Sequence, residues 1–403
     1  MTPSVLSNPA AEIISPNDEG SVARTIRKIW RFNIHEDMLG NNKLHLYGAL
    51  AAAGIVWLFA TPKLAFLFDP LDTNSVHIFH MMPQINLNNE FGPIATILLW
   101  LALFRFAFLV AVGIADIVFH KRATGKPFAW KGMVNTSMAN IMMWLFGFLF
   151  IGVSPYFEQF MAYYMTLLRG VPQIVDVNGP LAVIVACLIG DFCFYWSHRL
   201  THNMRLLWNL GHINHHRHEN LTQFHFAAEP DVLALKASKG ITLFMLPLMS
   251  ALFTSDLVGV GWFLVAVLLI DIWIDPSHSP VLYKLEQKYK ALRMMRLVFV
   301  TVAVHYTHHS SEPRHNKKTG CNFGARFTVW DRLFGTYTEP DEEVPQTGLF
   351  GKHADYCYNP IRFLLLPYVR FYKELRFNHV RHWPKILFGS VFYSPPVKAR
   401  MSH

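Results

Sequence analysis

Long apolar runs recur along the chain, at about 44–68, 94–118, 138–168, 179–197, 239–253 and 257–274. A helix needs about 20 apolar residues to cross about 30 Å of hydrocarbon, and in lipid a chain must satisfy its own backbone hydrogen bonds. These runs predict an all-α integral membrane protein, a multi-span helical bundle. Thr254-Ser255-Asp256 interrupts what is otherwise one apolar stretch, so the last two runs predict a hairpin of tilted or incompletely crossing helices. Ser154-Pro155 divides the overlong 138–168 run into a spanning and an interfacial half. Composition agrees: of 403 residues, 52% are hydrophobic and 16% charged, which excludes a disordered chain. The net charge of +9 lies in loops between apolar runs, where it suits anionic headgroups, and no nucleic-acid partner is expected.

Loop charge sets the orientation. Residues 69–90 carry Asp69, Asp72 and Glu90 without a Lys or Arg, whereas the next loop carries Lys121, Arg122, Lys126 and Lys131. The N-terminus is therefore expected in the cytoplasm, and six crossings return 198–237 and everything after 275 to that side. Lys63 is the exception. The expected organisation is a polar tail and basic segment over 1–43, N-terminal transmembrane helices over 44–178, a metal-binding domain with the hairpin over 179–340, and an interfacial region over 341–403. That last region mixes aromatic and basic residues, the pattern of helices lying on a membrane. Cys187, Cys193, Cys321 and Cys357 show no paired spacing, which gives neither a disulfide framework nor a thiolate metal site.

The chemistry is concentrated in histidine. Twelve of the 21 histidines lie between 198 and 315, and eight of these form three boxes. The boxes are His198-Arg-Leu-Thr-His202, His212-Ile-Asn-His215-His216 and His305-Tyr-Thr-His308-His309. On a helix, positions i, i+3 and i+4 share a face, so each box is expected to present two or three imidazoles to one point. A single histidine is ordinarily a satisfied polar residue near the membrane surface; three ordered boxes point to metal. Eight imidazoles exceed the needs of one ion, so two ions are expected, and a ligand set that leaves open positions suits redox iron better than a closed structural site. No HExxH is present, which argues against a zinc protease. Carboxylates are expected to offset the charge of two dications, with Asp191, two turns before His198, and Asp331 and Glu312 as candidates. Asp116 and Arg105, in the second apolar run, lie outside any motif and are read as structural or lipid-facing.

The run Asp191-Phe-Cys-Phe-Tyr-Trp-Ser-His198-Arg-Leu-Thr-His202, the two HxxHH boxes, Asn322-Phe-Gly324 and Trp330-Asp-Arg-Leu-Phe-Gly-Thr336 resemble the fatty acid hydroxylase / sterol desaturase superfamily over about 179–340. Gly348-Leu349, Tyr358-Asn359-Pro360 and Lys385-Ile-Leu-Phe-Gly389 are similar to the tail of its bacterial sterol-desaturase-like, alkylglycerol monooxygenase-like branch. The resemblance implies a membrane-bound non-haem di-iron oxygenase that hydroxylates or desaturates a lipid with O2 and an external electron donor. It also implies a ligand at His278, in the His278-Ser279 element between the second and third boxes. The histidine-before-proline often seen after the second box is missing; His225, in Phe224-His225-Phe226, is an additional ligand candidate out of register. His218 and His315 are left as supporting or surface residues.

The expected architecture is a cytoplasmic histidine-rich helical cap over a lipid-accessible cavity, in a multi-pass protein of the cell inner membrane if bacterial or of the endoplasmic reticulum if eukaryotic. No electron-carrying domain is visible in the sequence, so a separate electron-transfer protein is expected. A membrane metal-ion transporter and a bis-His haem protein are the alternative readings.

Overall fold

The computed structural model describes residues 21–31, 93–130, 132–134, 179–224, 276–316, 320–349 and 359–397, with single positions at 138, 265, 269, 270, 272 and 274. The expected spans 44–68 and 239–253, nearly all of 138–168 and 257–274, and His225 lie outside them. The described residues form helices, two isolated β-bridges and no strand. The helices are α1 (Ser21–Arg31), α2 (Pro93–Thr124), α3 (Gly179–Asn203), α4 (Arg205–Leu207), α5 (Ile213–His216), α6 (Pro280–Lys288), α7 (Lys290–Met294), α8 (Val302–His308), α9 (Val329–Leu333), α10 (Pro360–Phe377) and α11 (Trp383–Phe388). The basic segment near the N-terminus is helical.

Within α2, Leu103–Thr124 is long and apolar enough to cross a membrane, the one such stretch among the described residues. The expected fourth span is the helix α3, which carries the first histidine box on its last turns. Between α4 and α5 the backbone widens into a π-helical turn, Trp208–His212. Such turns are uncommon and concentrate at functional sites, because they re-aim the side chains that follow.

Aromatic rings join α3 to α9. Tyr195 stacks on Phe334 at 5.3 Å, and Phe192 meets Trp330 edge-on at 4.9 Å. The Tyr195 hydroxyl also lies 3.0 Å from that of Thr336. A second small core, Leu221, Tyr283, Ala303 and Tyr306, packs the segment after the second box against α6 and α8. Tyr306 ties it down by donating its hydroxyl to Leu221 O at 3.0 Å.

Short helices need their ends satisfied. Ser279 caps α6, accepting from Leu282 N at 3.1 Å, with Pro280 in the first turn. The seven-residue α8 is capped by a side chain from another helix: Glu286 accepts from Ala303 N at 3.0 Å and from the Thr301 hydroxyl at 2.7 Å, while Arg296 Nε donates to it at 2.5 Å. The negative charge sits at the positive end of the helix dipole, which fixes the start of the helix carrying the third box.

The C-terminal region does more than line a surface. Leu366, Ile386 and Glu374 are buried, and α10 packs on the π-helical turn. Glu374 pairs with Arg205, which also donates Nε to Ile386 O at 3.2 Å. On the region's outer faces Tyr372, Phe377, Val380 and Phe388 are exposed.

Candidate metal centre

Nine of the histidines expected from the sequence come together in two groups. The ligand atoms of His198, His202, His212, His216 and His308 all lie within 4.8 Å of one another, and so do those of His215, His278, His305 and His309. All are buried except His215 and His305, which are half-buried. The groups adjoin: His216 stacks on His309 at 4.3 Å, and His215 meets His309 at 4.4 Å.

Each box sends two imidazoles to one group, as a spacing of four residues predicts, and none sends three. His198 and His202 do share a group, but each HxxHH box is divided between the two. His212 and His216 enter the first while His215 enters the second; His308 enters the first while His305 and His309 enter the second. Consecutive residues on a helix are about 100° apart, so an adjacent pair of histidines diverges while an i, i+4 pair converges. Each HxxHH box therefore straddles two sites and holds them side by side.

Nitrogen spacing is the test of whether an ion fits. In the second group the Nε2 atoms of His278, His305 and His309 form a triangle with sides of 3.1, 3.1 and 3.2 Å. Donors and acceptors cannot alternate around three corners, so at least one edge sets like against like. Ligands about 2.1 Å from a common ion stand about 3.0 Å apart in an octahedron and about 3.4 Å in a tetrahedron, and the observed sides fall in that range. In the first group His212 Nε2 lies 3.2 Å from His198 Nε2 and 2.8 Å from His202 Nε2. His216 Nε2 and His308 Nε2 are buried without a hydrogen-bond partner. Orphaned lone pairs aimed at one point, with no carboxylate among them, are the donor set of a cation site.

Protonation agrees. His215, His216, His305, His308 and His309 titrate well below the ordinary imidazole range, because burial penalises their charged forms and neighbouring imidazoles add repulsion. They are neutral and present lone pairs at pH 7. Two backbone carbonyls set the tautomers. Since a carbonyl can only accept, His198 donates Nδ1–H to Phe323 O at 2.9 Å and His308 donates Nδ1–H to Cys321 O at 2.7 Å. His308, being neutral, is thereby left with an unprotonated Nε2, and both Nε2 atoms lie on the side of the ring away from the carbonyl.

The loop that carries the Phe323 carbonyl is held by the predicted acids. Asp331 accepts from Phe323 N at 2.8 Å, Gly324 N at 2.7 Å and the Thr336 hydroxyl at 2.6 Å. Burial raises its carboxyl above the ordinary range, against the pull of those donors. Asp191 accepts from Ala325, Arg326 and Phe327 N at 3.0, 2.7 and 3.1 Å. Neither acid hydrogen-bonds a histidine; both grip the 323–327 backbone whose Phe323 carbonyl orients His198. Asn322, buried at φ 55°, completes the loop, donating to Val304 O and Thr338 O. Glu312 belongs elsewhere. It pairs with Arg314, which also meets Asp341, and His315 bridges Ser310 Oγ at 2.8 Å and Asp341 at 3.1 Å.

Asp116 is the residue that sequence reasoning undervalued. Wholly buried on α2, it accepts from Ser279 Oγ at 2.5 Å and from Gln223 N at 2.9 Å. It thus joins the apolar helix to the residue beside His278 and to the end of the segment carrying the second box. An acid inside an apolar run was the signal available.

Residues 183–336 match the family model described as fatty acid hydroxylase. An alkylglycerol monooxygenase from Homo sapiens is 30% identical over 154 residues, 38% of this chain and 30% of that protein. One from Danio rerio is 30% identical over 184 residues, 44% of this chain and 35% of that protein. The aligned part is about a third of the length of these curated relatives. No solved structure matches significantly.

Proposed function

Residues 183–336 belong to the fatty acid hydroxylase superfamily, and from that premise we propose that the chain is a membrane-bound non-haem di-iron oxygenase acting on a lipid. The observation that carries the reading is the pair of adjoining histidine groups, buried or half-buried and without a carboxylate among their ligand atoms. His198, His202, His212, His216 and His308 would hold one ion and His215, His278, His305 and His309 the other. When bound, two irons supply reductive activation of O2 and removal of hydrogen from an unactivated C–H bond.

The chain's own part is positioning and exclusion of water. Phe323 and Cys321 carbonyls fix the tautomers of His198 and His308, and Asp331 and Asp191 keep the Phe323 carbonyl in place. Asp116, through Ser279, anchors the His278 element to α2. Burial keeps His215, His216, His305, His308 and His309 neutral, and a centre shielded from water protects a strong oxidant from side reactions.

The substrate reaches this centre from the bilayer in our reading, with α2 and α3 as spans of a multi-pass bundle and the histidines on the cytoplasmic side. Electrons come from a separate protein. Oxidation of a glycerol ether is the narrower form of the proposal, since the curated relatives are named for acting on alkylglycerols.

The test is lipid analysis of cells with and without the gene, under 18O2. A lipid that gains one labelled oxygen, or loses two hydrogens, only when the gene is present is the expected result. Unchanged lipids in cells that make the metal-loaded protein would refute the proposal.

A further inference from the structure

Between α2, α6 and α7 lies a cavity of about 220 Å³ whose walls are almost wholly apolar, among them Phe108, Ile270, Leu292 and Phe299. Leu269 and Leu285 both line it and remain 49% and 42% exposed, so the cavity reaches the surface between them. The two lips differ. Leu269 lies in the apolar run expected to return through the membrane, whereas Leu285 lies on α6, one turn before Lys288.

That second lip is cationic and amphipathic. Lys288, Lys290 and Arg293 are exposed beside exposed Tyr289, Met294 and Leu297. The nearby charges of the same sign as a ligand phosphate are already committed. Glu286, which lines the cavity, is held by Arg296, Thr301 and the Ala303 amide. Glu343 pairs with Lys284, and Glu339 with Arg296. Lys288 lies over the Tyr289 ring at 5.4 Å, and among the described residues neither Lys288 nor Lys290 meets a carboxylate. An apolar slot with one membrane-side lip and one lysine-bearing lip has the shape of a single lipid molecule, chain inside and headgroup at the rim.

We propose that this cavity takes the hydrocarbon chain of a lipid whose headgroup carries a negative charge, phosphate or carboxylate, with Lys288 and Lys290 receiving that charge. This rests on the reading of the chain as a lipid oxygenase and narrows its substrate to an anionic lipid, whereas the curated relatives are named for an uncharged glycerol ether.

The experiment compares two probes that differ only in a phosphate, 1-O-hexadecylglycerol and 1-O-hexadecylglycerol 3-phosphate. Both are titrated onto the metal-loaded full chain in uncharged detergent and read by native mass spectrometry. Two exposed lysine–phosphate contacts are together expected to favour the phosphorylated probe by about tenfold. Lys288→Gln with Lys290→Gln should bring it down to the affinity of the uncharged probe without altering metal content, and Leu285→Trp should weaken both probes. Inorganic phosphate alone should not compete. Equal affinities for the two probes, or a preference that survives the double substitution, would overturn the headgroup assignment and leave the oxygenase reading standing. Failure of both probes to bind would overturn the cavity assignment and the lipid reading together.

Discussion

Gly324→Ala tests how the first histidine group is aimed. A Cβ at Gly324 would stand 2.6 Å from Phe327 O, 3.0 Å from Asp331 Oδ2 and 3.2 Å from Val300 Cγ2. An ordinary carbon–oxygen contact is about 3.3 Å, so backbone must part by about 0.7 Å. The loop has little freedom to give, because Asp191 and Asp331 hold five of its amides between them. If the shift falls on the Phe323 carbonyl, its 2.9 Å bond to His198 Nδ1 lengthens to about 3.6 Å, which is no longer a hydrogen bond. The expected cost is about 1–3 kcal/mol of stability from overpacking and about 10- to 100-fold in affinity for the ion of that group. The assay is thermal unfolding of the metal-free protein in mild detergent, with metal retained after washing measured in parallel. Gly125→Ala is the control: its φ of 73° strains an alanine, yet a Cβ there meets nothing within 4 Å and no histidine group is near in sequence. If Gly324→Ala keeps wild-type metal affinity and unfolds no earlier than Gly125→Ala, the loop does not set the histidine.

Three more outcomes follow from the same geometry. His202→Ala and His305→Ala strike different groups, so each should remove about one equivalent of metal and abolish product, while His403→Ala should do neither; equal loss of both metals from either variant would contradict two separable sites. The five imidazoles held below their ordinary range bind fewer protons folded than unfolded. Their contribution to stability is present above about pH 6.5 and is lost as pH falls toward their folded values, by up to about 1.4 kcal/mol per pH unit for each. Metal-free protein should therefore unfold markedly earlier at pH 5.5 than at pH 7.5, and an unchanged midpoint would contradict the neutral assignment. Glu374→Ala leaves Arg205 buried without its charge partner, at an expected cost of about 3–5 kcal/mol; a loss below about 1 kcal/mol in chemical unfolding would show that this pair does not anchor the C-terminal region.

The histidine boxes were legible because metal ligation leaves a helical signature, and spacings of three and four residues survive in the sequence as written. The partition of those boxes was not read from spacing, although the adjacent pairs at 215–216 and 308–309 already implied divergence by about 100°. Asp191 and Asp331 are singled out as carboxylates serving the metals, and they act through backbone: apart from the Thr336 hydroxyl their partners are amides, which look the same at every position of a sequence. The carbonyls of Phe323 and Cys321 are invisible for the same reason. Asp116 and the Glu286 cap of α8 depend on which helices pack together, and no local pattern announces that. The apolar runs foretold helix, and α2 and α3 lie where two of them were expected.

The most direct test of the central claim is X-ray absorption at the iron edge on the purified full chain, with iron counted per polypeptide. Two irons, each in a nitrogen-dominated shell near about 2.1 Å with the outer scattering of several imidazoles, is the result the account predicts. A shell of sulfur or haem nitrogen, or no iron retained at these histidines, would contradict it.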